Sequence, residues 1–235
     1  MGMPVSIHVR CQEVDSPAVV LAVQEAFDLF SEADRLFSTY QDGSEVSRIR
    51  RAELDPAEAD PLVRQVIALC TLAGEVTQGA FTAQLPDEAG VLRFDPTGLV
   101  KGWAADRAAS RLAELQGASF CLNAGGDVVV GGTPESGSRL GEPWRVGIED
   151  PRDRSRIAEV VHLHHGGVAT SGTAARGAHL YDPVAGTFVD RTGSVTVVGP
   201  DLMWADVWAT ALFVRPASLP GLFASVAEGY RMIHL

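Results

Sequence analysis

The chain has 235 residues, of which 46% are hydrophobic and 21% charged, and its formal net charge at pH 7 is −11. This composition is typical of a folded globular protein and excludes an extended disordered chain. The acidic excess argues against general binding to nucleic acid or anionic membrane surfaces but leaves room for a local basic pocket.

The N-terminus and the cysteines indicate the class of protein. Residues 1–9 alternate like a strand and lack the basic start and apolar stretch of an export signal. No later apolar run reaches the length of about 18 residues that a membrane helix needs. Cys11, Cys70 and Cys121 are widely spaced and predict free thiols. We therefore expect a cytoplasmic protein without membrane insertion.

Three helical patterns occupy the first half of the chain. Ser16-Pro17 predicts a helix start, and apolar residues at helical spacing continue that helix to about Phe37. A second helix is predicted from Asp60-Pro61 toward residue 79, after a polar connection. A third is predicted from about residue 100 to Gly117, since glycine suits the left-handed position that follows a helix.

Short β-branched or alternating segments dominate the later half. Strands are predicted over residues 120–123, 128–130, 144–148, 157–163, 194–198 and 230–234. A further helix is predicted over 202–214, with Asp201 as its cap. Helices that come first and strands that come later predict an α+β fold, here a single domain over 1–235 with two intimately joined lobes.

The helix predicted over 202–214 contains an unusual polar pair. The segment is apolar on nearly all sides, which is the pattern of a buried helix. Asp206 and Thr210 lie one turn apart and therefore share a face. A buried carboxylate requires a partner, and a hard cation held by carboxylate, hydroxyl and backbone oxygens is one candidate. The alternative is an acid favoured near the helix start by the helix dipole.

Residues 94–102, Phe-Asp-Pro-Thr-Gly-Leu-Val-Lys-Gly, lead into the third helix. Gly98 allows close backbone approach, and Lys101 places a cation near an amide-rich N-terminus, an environment suited to phosphate. The segment lacks the Gly-Lys-Ser/Thr of a Walker loop. A plain strand-to-helix turn with a surface lysine is the alternative interpretation.

Two further segments combine glycine with polar side chains. Gly125-Gly126-Asp127 predicts either a tight hairpin or a backbone that a ring or phosphate can approach, with Asp127 as acceptor. Residues 169–172, Ala-Thr-Ser-Gly, offer hydroxyls shortly before Arg176 and His179. Together these groups would suit a phosphoryl-transfer pocket with His179 as acid, base or hydrogen-bond donor, whereas a lone histidine is alternatively structural.

In chain order, these segments resemble the FAD:protein FMN transferases, the ApbE family. The resemblance covers most of the chain, and its order is more specific than any one motif. It lies in residues 1–3, 37–47, 79–81, 95–106, 123–127, 169–172, 179–183, 194–197 and 205–210. It implies an ApbE-like two-lobed fold with mixed sheets and packed helices.

The resemblance also implies an activity and its residues. Members bind FAD in a bent pose with Mg²⁺ on the diphosphate, and transfer the FMN half to a Ser or Thr of a partner protein while AMP leaves. By position, the metal ligands would be Asp206, Thr210 and the carbonyl of Gly98, and the catalytic residues His179 and Asp206. The residues expected to line the flavin nucleotide are Met1, Tyr40, Ala80, Phe81, Thr82, Asp95, Lys101 and Leu180.

The chain departs from the family pattern around the flavin. The segment between Gly79 and Asp95 is shorter than is typical, Thr82 stands where Asp is usual, and Arg50 stands where Asn is common. Two alternatives use the same segments. One is an FAD pyrophosphatase, in which water replaces the acceptor and FMN and AMP are released, and the other is a flavin-binding protein without catalysis.

Overall fold

The computed structural model describes residues 2–134, 139–173, 177 and 179–235. Met1 and Arg176, both named above, lie outside these ranges. Within them, helices and antiparallel strands are mixed, which confirms the α+β class. None of the helices described combines the length and the hydropathy that a bilayer crossing requires.

Six α-helices form in the described part of the chain. They are α1 (Pro17–Phe37), α2 (Glu45–Arg50), α3 (Pro61–Val76), α4 (Thr97–Ala113), α5 (Leu202–Val214) and α6 (Pro220–Val226). Helices α1 and α3 begin at prolines, as predicted, because proline at the first helical position loses no hydrogen bond. Helix α2 was not predicted; Ser44 starts it by accepting the N–H of Ser47 through its hydroxyl.

The start of α4 lies three residues before the predicted position, at Thr97. Asp95 explains the difference, since its Oδ1 accepts hydrogen bonds from Thr97 N at 3.1 Å and Thr97 Oγ1 at 2.5 Å. These bonds satisfy a helix-start amide that periodicity alone does not reveal. At the other end α4 stops at Ala113, so the predicted end at Gly117 was wrong by four residues. Gly117 is left-handed, with φ +68°, but it lies in a short strand (Gln116–Gly117) and does not directly follow the helix.

Thirteen strands are present in the described ranges. They are β1 (Val5–Arg10), β2 (Gln84–Pro86), β3 (Leu92–Phe94), β4 (Gln116–Gly117), β5 (Ser119–Ala124), β6 (Asp127–Pro134), β7 (Trp144–Asp150), β8 (Asp153–Leu163), β9 (Gly166–Gly172), β10 (Tyr181–Asp182), β11 (Thr187–Phe188), β12 (Ser194–Gly199) and β13 (Arg231–His234). The main sheet has the order β1-β5-β6-β9-β12-β13, with β4 beside β6, and β2–β3, β7–β8 and β10–β11 form separate pairs.

Successive side chains along each strand of the main sheet point to opposite faces. Both faces are covered by other elements. Ile7, Leu122 and Val197 lie on the face that packs against the helices and belong to the larger core. Val128 and Val168 point to the opposite face and form a smaller core with the β7–β8 hairpin. The helices and the hairpin therefore lie on opposite sides of one sheet.

Helix α5 is capped by a residue that sequence reasoning did not select. The predicted cap, Asp201, makes no side-chain capping bond. Asp106 of α4 caps the helix instead, with Oδ1 3.1 Å from Leu202 N and Oδ2 2.8 Å from Met203 N. The prediction was wrong because the acid lies 96 residues away in sequence, a tertiary contact that local pattern cannot show.

Candidate active site

A cavity of about 590 Å³ opens where the turn between β5 and β6, the end of β9, the start of α4 and the middle of α5 meet. Most residues predicted for the site line it. They are Ala80, Phe81, Thr82, Asp95, Gly98, Lys101, His179, Leu180, Asp206 and Thr210. Residues from four distant segments, 80–82, 95–101, 179–180 and 206–210, are thus brought to one place.

The polar pair on α5 lines this cavity. Eleven residues of α5 are buried, and Asp206 is 3% exposed. Thr210 lies one turn further along, and its Oγ1 is 3.0 Å from Ser171 Oγ at the end of β9. Ser171 was not proposed as a site residue individually. The hydroxyl-rich segment 169–172 was the signal that could have identified it.

Lys101 joins α4 to both buried carboxylates of the site. Its Nζ forms an ion pair with Asp127 Oδ2 and lies 3.4 Å from Asp206 Oδ2. The lysine side chain is 16% exposed, so it is not the surface lysine of the alternative interpretation. Burial from water strengthens these charge interactions.

The glycine turn is a hairpin that fixes the second carboxylate. Gly125 and Gly126 have φ values of +64° and +105°, which a two-residue connection between antiparallel strands requires. Asp127 follows at the first position of β6, is 2% exposed, and accepts the N–H of Thr170 at 3.1 Å. The two interpretations of this segment are therefore compatible. The turn forms the hairpin, and its aspartate faces the cavity.

The wall predicted to contact the flavin nucleotide is built from the chain after α3. Phe81 is 3% exposed, and its N–H donates to Thr77 Oγ1 at 3.0 Å. Its ring lies beside Gly98, where an added Cβ would be 3.6 Å from Phe81 Cε2. The next wall residue, Asp95, is held by α2 as well as α4, because Arg50 Nη1 lies 3.4 Å from its Oδ2.

Two of the predicted flavin contacts are not seen in the cavity. Tyr40 follows α1, is 91% exposed and does not line the cavity. Met1 lies outside the described residues. The roles of both remain predictions based on the resemblance.

His179 lies at the mouth of the cavity, with Nδ1 2.9 Å from the carbonyl oxygen of Gly177. A carbonyl only accepts, so Nδ1 carries the proton in this contact. In the neutral ring Nε2 then retains a lone pair and can accept a proton. Cys121 also lines the cavity, but burial raises the pKa of its thiol, which disfavours it as a nucleophile.

The sequence is similar to that of known flavin transferases. The model of the ApbE family matches residues 1–86 and 82–228. An FAD:protein FMN transferase of Escherichia coli is 35% identical over 156 residues, which cover 61% of this chain and 42% of the relative. One of Rhodobacter capsulatus is 28% identical over 212 residues, covering 86% of this chain and 39% of the relative. The chain thus spans about two fifths of the curated relatives' length.

Solved structures show the same fold. The ApbE protein of Thermotoga maritima superposes with a TM-score of 0.80 at 23% identity, covering 99% of this chain and 91% of that protein. A flavinyl transferase ApbE of Pseudomonas stutzeri gives 0.73 at 22% identity, covering 98% and 94%. The family match extends over most of the sequence. The chain belongs to the ApbE family.

Proposed function

We propose that this protein transfers the FMN half of FAD to a serine or threonine hydroxyl of a partner protein, in a magnesium-dependent reaction that releases AMP. One observation carries the proposal. Asp206, Thr210 and Gly98 line the same cavity as Lys101 and Phe81. The activity named for the curated relatives supports it.

The donor atoms of Asp206, Thr210 and Gly98 fit magnesium. A carboxylate, a hydroxyl and a backbone carbonyl are hard oxygen donors. Within the described residues no three His, Cys, Asp or Glu side chains form a metal-binding group. Asp206, Thr210 and Gly98 would supply three oxygen ligands, and phosphate oxygens and water commonly supply the others when magnesium is bound in a nucleotide site.

The charge of the cluster supports the same assignment. Lys101, Asp127 and Asp206 together carry one net negative charge when ionised. Such a cluster would repel a diphosphate in a water-poor cavity. A divalent ion held by Asp206, Thr210 and Gly98 would make the local charge positive and would stabilise the charge that develops on the leaving phosphate.

The residues of the chain supply the remaining steps. The acceptor hydroxyl oxygen forms a bond to the flavin-side phosphorus, and the bond between that phosphorus and the bridging oxygen breaks. AMP leaves with the electron pair. The hydroxyl proton passes to Nε2 of His179, while Lys101 stabilises negative charge on the phosphates. Phe81 and Asp95 orient the nucleotide, because both line the cavity beside Lys101.

The proposal is tested with FAD, Mg²⁺ and a protein acceptor containing serine or threonine. Mass spectrometry should show the acceptor gaining one FMN unit, attached through its phosphate, for each AMP released. Asp206→Asn and Thr210→Val should each lower kcat/KM by about 100-fold or more, as expected for loss of transition-state charge stabilisation. Asp201→Asn is a matched control, because this exposed acid precedes the same helix and makes no capping bond.

Two outcomes would contradict the assignment. Full activity of a folded Asp206→Asn variant would refute the metal role. An FAD-loaded protein that leaves the acceptor mass unchanged and releases no AMP would refute transfer and indicate a flavin-binding protein.

Hydrolysis of FAD is the second candidate. Thr97 and Gly98 are exposed at the cavity mouth, so water can reach the proposed phosphate position. In this case FMN and AMP would appear in equal amounts without an acceptor. Addition of an acceptor would not raise the rate. An acceptor-dependent increase in AMP release, matched by flavin on the acceptor, would exclude this candidate.

A further inference from the structure

The cavity continues beyond the nucleotide residues to the opposite face of the main sheet. It passes the Gly125-Gly126 turn and extends between β1, β5 and the β7–β8 hairpin. We call this part the hairpin arm and define it by Ser6, His8, Cys121, Asn123 and residues 145–150. None of these residues belongs to the predicted nucleotide or metal site.

The floor of the hairpin arm consists of alternate side chains from two paired strands. Ser6 lies opposite Asn123, and His8 lies opposite Cys121. Their strand neighbours point to the helix side and pack in the larger core. Asn123 Oδ1 accepts the N–H of Gly126 at 2.9 Å, which leaves its amide N–H donors for a ligand. The floor is thus polar.

The wall of the hairpin arm is the edge of a strand. Six consecutive residues of β7, 145–150, line the cavity, whereas β8 contributes Arg154. One face of a strand presents only every second residue, whereas here consecutive residues all line the cavity. The cavity therefore meets the edge of β7. Within the described ranges β7 pairs with β8 alone. The other edge of β7 therefore offers backbone donors and acceptors to an incoming chain.

The charge at this edge favours one type of chain. Arg154 is neutralised by Glu149, with Nε 2.8 Å from Oε2. For Arg145, the described residues provide no acidic partner. Asp150, the other acid of this edge, lies 3.5 Å from Arg152 Nε. Arg145 is therefore the guanidinium left without a compensating acid, and it favours an extended segment that carries a carboxylate.

We propose that the hairpin arm binds the acceptor protein, whose extended segment adds to the free edge of β7 and carries an acidic residue toward Arg145. This inference rests on the proposed function and names the acceptor's route. Six residues of β7 span about 20 Å, enough to pair with a short segment by strand addition. The cavity is continuous around the Gly125-Gly126 turn, so a hydroxyl at the end of that segment reaches Asp206 and Lys101.

The test uses randomised peptides of about nine residues with a central serine or threonine, a length that covers the six-residue edge. Ser6→Tyr fills the floor of the hairpin arm, and Arg145→Glu reverses its charge. Ala158→Tyr and Arg156→Glu are matched controls, because both positions are exposed on β8 and do not line the cavity. Labelled peptides are sequenced by mass spectrometry, and AMP release without peptide is measured in parallel.

We expect the wild-type protein and both controls to label peptides enriched in Asp or Glu at one offset from the hydroxyl. Ser6→Tyr should lower peptide kcat/KM about tenfold or more, as expected for blocking an interface centre, while the KM for FAD stays within twofold. Arg145→Glu should shift the enrichment to Lys or Arg. Binding of a selected peptide should slow amide hydrogen exchange across 145–150.

The outcomes separate this inference from the nucleotide site. Equal labelling by Ser6→Tyr and the wild type would overturn it. A higher KM for FAD in Ser6→Tyr would also overturn it, because the arm would then hold part of the nucleotide. AMP release into water without any labelled peptide would overturn it while leaving the nucleotide site intact. Absence of both FAD binding and AMP release would refute the proposed function itself, and this inference with it.

Discussion

Replacement of Asp106 tests how α5, the helix that carries the proposed metal ligands, is held in place. Its carboxylate accepts two N–H groups at 3.1 and 2.8 Å from residues that are 0% and 8% exposed, Leu202 and Met203. Asp106→Ala leaves both amides without this acceptor in a buried place. From the cost of a lost helix cap and of lost bonds to a charged acceptor, we expect about 2–4 kcal/mol of lost stability.

The same residue should give stability a specific pH dependence. Burial raises the pKa of Asp106 from 3.8 to about 6, although the Met203 and Leu202 amides oppose the rise. Because the folded state binds the Asp106 proton more tightly than the unfolded state does, protonation of Asp106 stabilises the fold. This stabilisation is greatest below about pH 4 and is lost as the pH rises through 6. Asparagine does not titrate. The free energy of unfolding of the wild type should therefore rise by up to about 3 kcal/mol, relative to that of Asp106→Asn, as the pH falls from about 7 to about 4.

The assay is urea unfolding of the wild type, Asp106→Ala, Asp106→Asn and the control Asp201→Asn at several pH values. The control should change stability by less than about 0.5 kcal/mol at pH 7, since Asp201 is exposed and asparagine keeps an oxygen that can accept the hydrogen bond from Tyr230 Oη. A stability of Asp106→Ala equal to that of the wild type would refute the capping role. A wild-type to Asp106→Asn difference that is flat from pH 4 to 7 would refute the raised pKa.

Three further substitutions test separate contacts. Lys101→Met should destabilise by about 3–5 kcal/mol because two buried carboxylates lose their cation, and Mg²⁺ should raise its Tm more than that of the wild type. Gly102→Ala should cost about 1–3 kcal/mol, since its Cβ would lie 2.6 Å from Met203 Cα, whereas the helical control Gly74→Ala meets ordinary contact at 3.6 Å. Tyr40→Ala should leave Tm unchanged because the ring is 91% exposed, but should weaken FAD binding about tenfold in a fluorescence titration if the ring covers the flavin.

Local pattern was sufficient where the relevant residues lie within one element. The boundaries of α5 matched the prediction over 202–214, and Asp206 and Thr210 share a cavity because helical geometry fixes their separation. Gly117 and the Gly125-Gly126 turn followed in the same way from backbone conformations that only glycine adopts easily.

Contacts between distant segments were beyond this kind of prediction. Arg50 pairs with Asp95 across 45 residues, and Asp106 caps a helix that begins 96 residues later. The local sequence around an acidic residue does not predict which distant amide or cation it will contact. The free edge of β7 is likewise a property of sheet order, and the alternation of its residues predicts a strand without indicating its neighbours.

One face of α4 connects stability with the proposed chemistry. Gly98, Lys101, Gly102 and Asp106 recur at spacings of three and four residues and so lie on the same side of the helix. Gly102 allows the close approach of α5, and Asp106 fixes the start of α5. Lys101 then meets the carboxylate of Asp206 on that helix. Loosening the contact between α4 and α5 should therefore weaken metal binding even where no ligand is changed. Magnesium affinity in Gly102→Ala should fall together with Tm, and an unchanged affinity in the destabilised protein would show that the two functions of this face are separable.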